Sequence, residues 1–209
     1  MLSIKFAKPF VLTKPDPGIT QNSRCWNGTG LGEFQSQDLS SLLGERPVRE
    51  LTYRAAFEQV LSIDPHQSNK VVLAKLAQQH TGYEVAVDDD RDILLDLLMS
   101  QVVEPQLGRA EFTFIYDSPA SQCALARVTN DAEGVAVAQR FELYIEGVEL
   151  ANGYFELTDA NEQQRRFDAD LAERKRRALP EVPADQRLVA ALQSGMPTCA
   201  GVALGLDRL

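Results

Sequence analysis

The sequence predicts an α+β fold in which an antiparallel β-sheet is flanked by helices. Apolar residues recur at helical spacing in several stretches, and alternating apolar and polar residues mark separate strands. Two alternating runs also meet at Glu146-Gly147, a dipeptide typical of hairpin turns. The chain has 209 residues, 44% hydrophobic and 24% charged, which is an ordinary composition for one globular domain.

Two regions of the chain differ in composition. Residues 1–45 are dense in Gly, Pro, Ser, Asn and Gln and keep neither a strand nor a helix period. We therefore expect them to be largely irregular, with a short strand near Ile4–Leu12. Residues 46–209 carry regular patterns and form the predicted domain.

Three helices are predicted in the first half of this domain, each after polar residues that can cap it. Thr52 precedes RAAFEQVL, Ser68-Asn69 precedes KVVLAKLAQQ, and Asp88 to Asp90 open RDILLDLLMSQVVEPQL, which Pro105 ends. The apolar stripe of the second helix is Val72, Leu73, Leu76 and Ala77.

Strand-type alternation follows the third helix. Phe112, Phe114 and Tyr116 alternate in EFTFIYD and predict one strand. The run RFELYIEGVELANGYFEL predicts a hairpin, because its two alternating halves flank the turn dipeptide.

The hairpin carries the polar side chains of most chemical interest. A turn at Glu146-Gly147 places Glu142, Tyr144 and Glu149 on one face. Three further residues alternate with the opposite parity, and one extra residue, a β-bulge around Ala151 or Gly153, would bring both sets onto one surface. These three are Asn152, Tyr154 and Glu156.

Two more helices follow the hairpin. Asp159-Ala160-Asn161-Glu162 is a capping box that opens a helix through Ala178. The second helix lies in ADQRLVAALQSGMP and is stopped by Gly195 and Pro197. The expected buried stripe of the first is Ala160, Phe167 and Leu171.

Charge, cysteines and hydropathy restrict the class of protein. Twenty-one basic and 30 acidic residues give a net charge of −9, which disfavours general nucleic-acid binding because phosphates would repel the chain. Cys25, Cys123 and Cys199 are scattered and fit reduced thiols in small core positions. No apolar run approaches the ~20 residues of a membrane span. We expect a soluble, cytoplasmic protein.

The polar surface of the hairpin has two readings. Paired carboxylates are most often a solvated acidic surface, but with phosphate oxygens they can also hold Mg²⁺. The group of an amide, an aromatic ring and a carboxylate could enclose an ammonium-bearing substrate.

Two other segments have similar alternatives. AGVALGLDRL is either a glycine turn with an Asp207–Arg208 ion pair or a backbone approach to a nucleotide, with Arg208 on phosphate. The basic cluster Glu173–Arg177 is either a solvated helix end or a docking site for an acidic partner or RNA.

The phrases YDSPASQCALAR, GVELANGYFELTDA and GVALGLDRL resemble class II lysyl-tRNA synthetases. They are more similar still to the family of stand-alone paralogues that attach β-lysine to elongation factor P. The resemblance covers about Arg46 to Leu209. It implies a partial class II catalytic domain with an antiparallel sheet of six or seven strands. It also implies ATP and Mg²⁺ as cofactors, lysine or β-lysine as substrate and elongation factor P as acceptor.

The resemblance also assigns roles to single residues. Glu142 and Glu149 match the family's Mg²⁺ and ATP carboxylates, and Arg208 matches the motif 3 arginine that contacts the phosphates. Gly201 and Gly205 belong to the same nucleotide-binding segment. The residues that match the lysine pocket are Asn152, Tyr154, Glu156 and Ala203.

The chain departs from the family pattern in three respects. Ala203 stands where tRNA-charging enzymes usually have Gly, which fits a lysine isomer as substrate. Together with the lack of a recognisable anticodon-binding domain, it makes tRNA an unexpected partner. No motif 1, which normally builds the homodimer, and no FRxE-type motif 2 is recognisable, so dimerisation is not expected. The alternatives to an elongation factor P ligase are therefore a truncated, catalytically incompetent remnant that binds an amino acid or protein, and a fragment of a lysyl-tRNA synthetase.

Overall fold

The computed structural model describes residues 2–6, 46–86, 89–180 and 182–208. The helices are α1 (Tyr53–Leu61), α2 (Lys70–Thr81), α3 (Arg91–Leu98), α4 (Ala160–Arg176) and α5 (Gln186–Gln193). The strands are β1 (Leu2–Phe6), β2 (Val48–Thr52), β3 (Phe112–Pro119), β4 (Val128–Asn130), β5 (Ala136–Ile145), β6 (Val148–Phe155) and β7 (Ala200–Leu204). The α+β class is confirmed.

The strands form a sheet in the order β1-β7-β6-β5-β3-β2, with β4 paired to β5. All pairs are antiparallel except β2 and β3, which run parallel from Val48↔Phe112 to Thr52↔Tyr116. This parallel pair was not expected from the sequence. Parallel neighbours need a long crossover connection, and α1, α2 and α3 supply it between β2 and β3.

The expected strand near Ile4–Leu12 is found in part. Strand β1 covers Leu2–Phe6 and pairs with β7. Residues 7–45, which include Cys25 and most of the segment expected to be irregular, lie outside the described residues.

The predicted caps begin the helices. The Thr52 hydroxyl accepts a hydrogen bond from the Ala55 amide at 3.0 Å, and the Asn69 side chain accepts one from Val72 at 3.1 Å. Further along, the side chain of Asp159 accepts from two amides of the first turn of α4. A π-helical turn (Met99–Val103) and a 3₁₀ turn (Glu104–Gln106) follow α3 directly and carry the helical backbone past Pro105.

Replacing Thr52 with alanine is expected to lower the free energy of unfolding by about 1 kcal/mol, because an orphan amide of α1 loses its partner. Urea denaturation measures the change. Thr52→Ser keeps the hydroxyl and serves as the control. A Thr52→Ala variant as stable as Thr52→Ser would contradict the capping role.

The hydrophobic core lies between the first three helices and one half of the sheet. Phe57, Leu94 and Leu98 are fully buried and pack with Ile115 of β3 and Tyr144 of β5. The helices therefore cover the sheet face that carries Ile115 and Tyr144, over β2, β3 and the end of β5. The same face of β6 and β7 lies beyond these three helices.

Two predicted apolar stripes are partly wrong. In α2, Leu73 and Ala77 are buried, but Val72 is 39% exposed because only the inner edge of this helix meets α3. In α4, the expected stripe is only half-buried and Gln163 is the buried residue. The reason is that α4 packs against α5 and not into the core of the first three helices.

The two cysteines within the described residues differ in burial. Cys199 is buried, as expected, whereas Cys123, which was also expected in the core, is only half-buried. None of the helices in the described part of the chain has the length and apolar character needed to cross a membrane.

Candidate active site on the sheet face beside the helices

A β-bulge at Leu150 brings the polar residues of the hairpin onto one face. Tyr144 pairs with Glu149, whereas Leu143 pairs with Ala151, so Leu150 is the extra residue. Glu142 therefore pairs with Asn152, and side chains of directly opposed residues share a face. The sequence analysis predicted a bulge around Ala151 or Gly153 that would bring the two sets of polar residues onto one surface. The bulge is found at Leu150, one to three residues earlier. The Leu150 carbonyl accepts from the Gly205 amide at 2.9 Å, which ties the bulge to the end of β7.

Glu142 lies in a network of charged and hydroxyl groups. Its Oε2 accepts a hydrogen bond from Tyr144 Oη at 2.7 Å, and its Oε1 accepts from Arg140. Glu104 Oε1 lies 3.1 Å from the same Tyr144 hydroxyl. The single hydroxyl proton is shared between two carboxylates, with the shorter bond to Glu142.

Burial sets the protonation of this network. Burial and the Glu142 carboxylate raise the pKa of Tyr144 far above its ordinary value, so its hydroxyl remains a donor. Burial also raises the pKa of Glu104, and the hydrogen bond from Tyr144 opposes this shift. Tyr144 is thus the neutral link that allows two acidic groups to lie near each other.

Tyr144→Phe is expected to lower the free energy of unfolding by about 2 kcal/mol, since a buried hydrogen bond to a carboxylate is lost. Urea denaturation measures the loss. Tyr116→Phe, which removes a hydroxyl outside this network, is the control. Equal stability of the two variants would show that the Tyr144 hydroxyl does not hold the carboxylates.

Glu149 links the carboxylate pair to the C-terminal segment. The Asn152 Nδ2 donates to Glu149 Oε1 at 2.9 Å, and Arg208 Nη1 donates to the Glu149 carbonyl at 2.6 Å. The guanidinium therefore lies beside the acidic hairpin, and this contact replaces the Asp207–Arg208 ion pair that was one reading of the sequence. Gly205 stands under the Arg208 stem, since a Cβ there would lie 3.3 Å from Arg208 Cδ.

The other end of the site lies toward Glu156, on the paired strands β6 and β7. Tyr154 pairs with Gly201 and Asn152 pairs with Ala203, so all four positions belong to the same face. The Glu156 carboxylate lies over Gly201, because a Cβ on Gly201 would come within 2.3 Å of Glu156 Oε1. A glycine at 201 is therefore what leaves room for Glu156.

The structure brings together the residues selected from the sequence on one open face. Carboxylates and the guanidinium lie at one end, at Glu149, and a carboxylate lies at the other, at Glu156. At about 3.3 Å per residue the two ends are roughly 20 Å apart along β6. Among the described residues, no three His, Cys, Asp or Glu side chains come together as a metal site.

Sequence reasoning missed Arg140 and Glu104. Arg140 precedes Glu142 by two residues, and strand periodicity alone places it on the same face. Its guanidinium carbon lies 5.9 Å from the centre of the Tyr154 ring. Glu104 follows the π-helical turn, and its meeting with β5 depends on packing between distant parts of the chain.

Two of the four basic residues at the end of α4 pair with acidic groups. Arg176 and Arg177 both contact Glu173, and the hydrogen bond from Arg176 is the main reason that the pKa of Glu173 is lowered to about 2. Arg177 also pairs with Asp90 at the start of α3. The solvated helix end is therefore the reading that these contacts favour.

A sequence profile of class II tRNA synthetases (D, K and N) matches residues 29–209. The chain belongs to the class II tRNA synthetase family. This confirms the resemblance seen in the sequence.

Three curated relatives of this class II chain are named elongation factor P–(R)-β-lysine ligase, from Salmonella dublin, Salmonella paratyphi B and Salmonella enteritidis. Each is 47% identical over 172 residues, which is 82% of this chain and 52% of the relative. The class II chain thus spans about half the length of the curated relatives it matches.

Proposed function

We propose that the chain is part of an ATP-dependent ligase that adenylates lysine or β-lysine and transfers it to a lysine side chain of elongation factor P. The observation that carries this proposal is the bulge at Leu150, because it sets two carboxylates, an amide and an aromatic residue on one face. The similarity to elongation factor P–(R)-β-lysine ligases supports the choice of substrate and acceptor.

The nucleotide would bind at the Glu149 end. Glu142 and Glu149 offer the two carboxylates that Mg²⁺ usually takes from a protein when phosphate oxygens complete its coordination. Mg²⁺ bound there would neutralise charge on the phosphates. Arg208, held by the Glu149 carbonyl, would neutralise phosphate charge from the side of β7. Gly205 lets the backbone turn closely beneath this guanidinium.

The amino acid would bind at the Glu156 end. Glu156 would pair with an ammonium group, and the Tyr154 ring would pack on the aliphatic stem. Asn152 is held by its hydrogen bond to Glu149 and would orient the substrate between the two ends. Ala203, opposite Asn152, forms the floor, where its methyl group favours one lysine isomer over another.

The reaction proceeds by two transfers. A carboxylate oxygen of the amino acid attacks the α-phosphorus of ATP, the bond to the bridging oxygen breaks, and pyrophosphate leaves with its electron pair. A neutral amine of the acceptor then attacks the acyl carbon, AMP leaves, and the amine proton passes to solvent or a carboxylate. Positioning and charge neutralisation by the residues above would supply the catalysis.

Exchange of labelled pyrophosphate into ATP tests the proposal. We expect exchange only when lysine or β-lysine is present, and a mass increase of one lysyl unit on elongation factor P when this acceptor is added. Exchange that does not respond to either amino acid would contradict the proposed substrate. Binding of ATP without exchange would favour the remnant that binds ligands and does not catalyse.

A further inference from the structure

A second concave site lies beside the one described above, on the helical side of Glu142. It is a cleft of about 430 Å³ between β5, α1, α3 and the π-helical turn that follows α3. Tyr53 and Met99 are buried at its floor, and Asp96 lies on its rim. A volume of this size accommodates a small organic molecule.

The charges of this cleft favour a cation. Asp96, Glu104 and Glu142 contribute three carboxylates, and Arg140 contributes one guanidinium. Arg140 donates to Glu142 and to the Gln122 carbonyl, so it forms no hydrogen bond with Asp96 or Glu104, and its buried Nε has no partner among the described residues. The apolar surface of Met99 beside these carboxylates suits a cation on an aliphatic stem.

The Tyr53 hydroxyl is an independent sign of a ligand. Tyr53 is 3% exposed, and its Oη has no hydrogen-bond partner among the described residues. A buried hydroxyl without a partner is unfavourable, because it has given up its hydrogen bonds to water without replacing them. Tyr53 lines the cleft together with Asp96 and Glu142.

The cleft adjoins the candidate active site. Arg140 contacts Glu142 in the cleft and lies 5.9 Å from the Tyr154 ring on the open face. A group held in the cleft would therefore lie next to the site proposed for the amino acid and nucleotide, with the Arg140–Glu142 pair between them.

We propose that this cleft binds a primary ammonium group carried on an unbranched aliphatic chain, with Asp96 and Glu104 as its carboxylate partners and the Tyr53 hydroxyl as an acceptor. Two sources present this chemistry, a free amino acid and a lysine side chain of a protein. The preference for a cation follows from the cleft itself, whereas naming the acceptor protein as one of the two sources rests on the proposed function.

Methionine-methyl NMR of the full chain with n-pentylamine tests the site without ATP or catalysis. The chain has three methionines, and Met99 is the one in the cleft floor. We expect pentylamine to shift the Met99 signal, assigned with Met99→Leu, and to leave the Met196 signal in place. The uncharged 1-pentanol at the same concentration should not reproduce the shift.

Two variants check which groups hold the amine. Asp96→Asn keeps the acceptor for Gln122 and removes one charge, and it should weaken pentylamine binding about fivefold, the equivalent of about 1 kcal/mol. Tyr53→Phe should weaken binding as well, without loss of folding stability, because it removes a hydroxyl that has no partner. Asp168→Asn on α4 removes an equal charge from a residue that does not line the cleft, and this variant should bind pentylamine as the wild type does.

The proposal is overturned if the Met99 signal does not move, if pentanol moves it equally, or if Asp96→Asn and Tyr53→Phe bind pentylamine as the wild type does. Nα-acetyl-lysine N-methylamide and free lysine distinguish the two sources. A stronger Met99 shift with the capped lysine supports a protein side chain as ligand, and a stronger shift with free lysine supports an amino acid. None of these results depends on pyrophosphate exchange, so they fail or succeed separately from the proposed ligase activity.

Discussion

Gly108→Ala is expected to lower the free energy of unfolding by about 4 kcal/mol. Gly108 has a φ of +66°, and a Cβ there would lie 2.6 Å from Ile145 Cα and from the Tyr144 carbonyl oxygen. The left-handed backbone costs an alanine about 1–2 kcal/mol, and overlap with rigid backbone adds about 1–3 kcal/mol. The Gly108 carbonyl also accepts from the Glu146 amide at 2.7 Å, so a shift would disturb the hairpin turn.

Gly134→Ala is the matched control for this substitution. Gly134 has a φ of +80°, but a Cβ there would have no neighbour within 4 Å. Gly134→Ala should therefore lower the free energy of unfolding only by the cost of a left-handed backbone, about 1–2 kcal/mol. Urea denaturation of both variants separates the two contributions. A Gly108→Ala variant no less stable than Gly134→Ala would contradict the close approach of residue 108 to β5.

Glu156→Gln is expected to weaken the binding of lysine or β-lysine roughly 30-fold, which corresponds to about 2 kcal/mol. The reason is that Glu156, the proposed charged partner for the substrate ammonium, is replaced by a neutral amide of the same shape. ATP affinity should stay unchanged, because the nucleotide is assigned to the other end of the face. Calorimetry with each ligand separately measures both quantities.

Glu146→Gln serves as the control for the loss of one carboxylate. Glu146 lies in the hairpin turn, where its side chain is 51% exposed and pairs with Arg46. Its replacement should leave amino acid binding at the wild-type level. If Glu146→Gln weakens lysine binding as much as Glu156→Gln does, the effect is one of overall charge and the assigned pocket is wrong.

Features that depend on neighbouring residues could be predicted from the sequence. The turn at Glu146-Gly147 fixes the pairing Tyr144↔Glu149 and Ile145↔Val148, and the structure has this register. The change of parity between Glu149 and Asn152 predicted a bulge, which is found at Leu150. Helix caps such as Thr52 and Asp159 were predictable because each satisfies amides two or three residues away.

Features that depend on distant parts of the chain could not be predicted in this way. Strands β2 and β3 pair in parallel although three helices separate them along the chain, and no local sequence pattern predicts this pairing. Likewise, Glu104 reaches Tyr144 across 40 residues, so its role in the carboxylate network follows from packing alone. The half-exposed stripe of α4 was unpredictable for the same reason, because periodicity identifies the apolar face of a helix but not the element that packs against it.

Binding of a non-hydrolysable lysyl-adenylate analogue, lysyl-sulfamoyl adenosine, tests most directly whether the face around β6 is one site. Calorimetry would compare the wild type with Glu156→Gln, Arg208→Ala and the double variant. If Glu156 and Arg208 contact the two ends of one ligand, the analogue binds one-to-one and each single variant weakens it by about tenfold or more. Binding that is insensitive to one of the two substitutions would contradict a shared site.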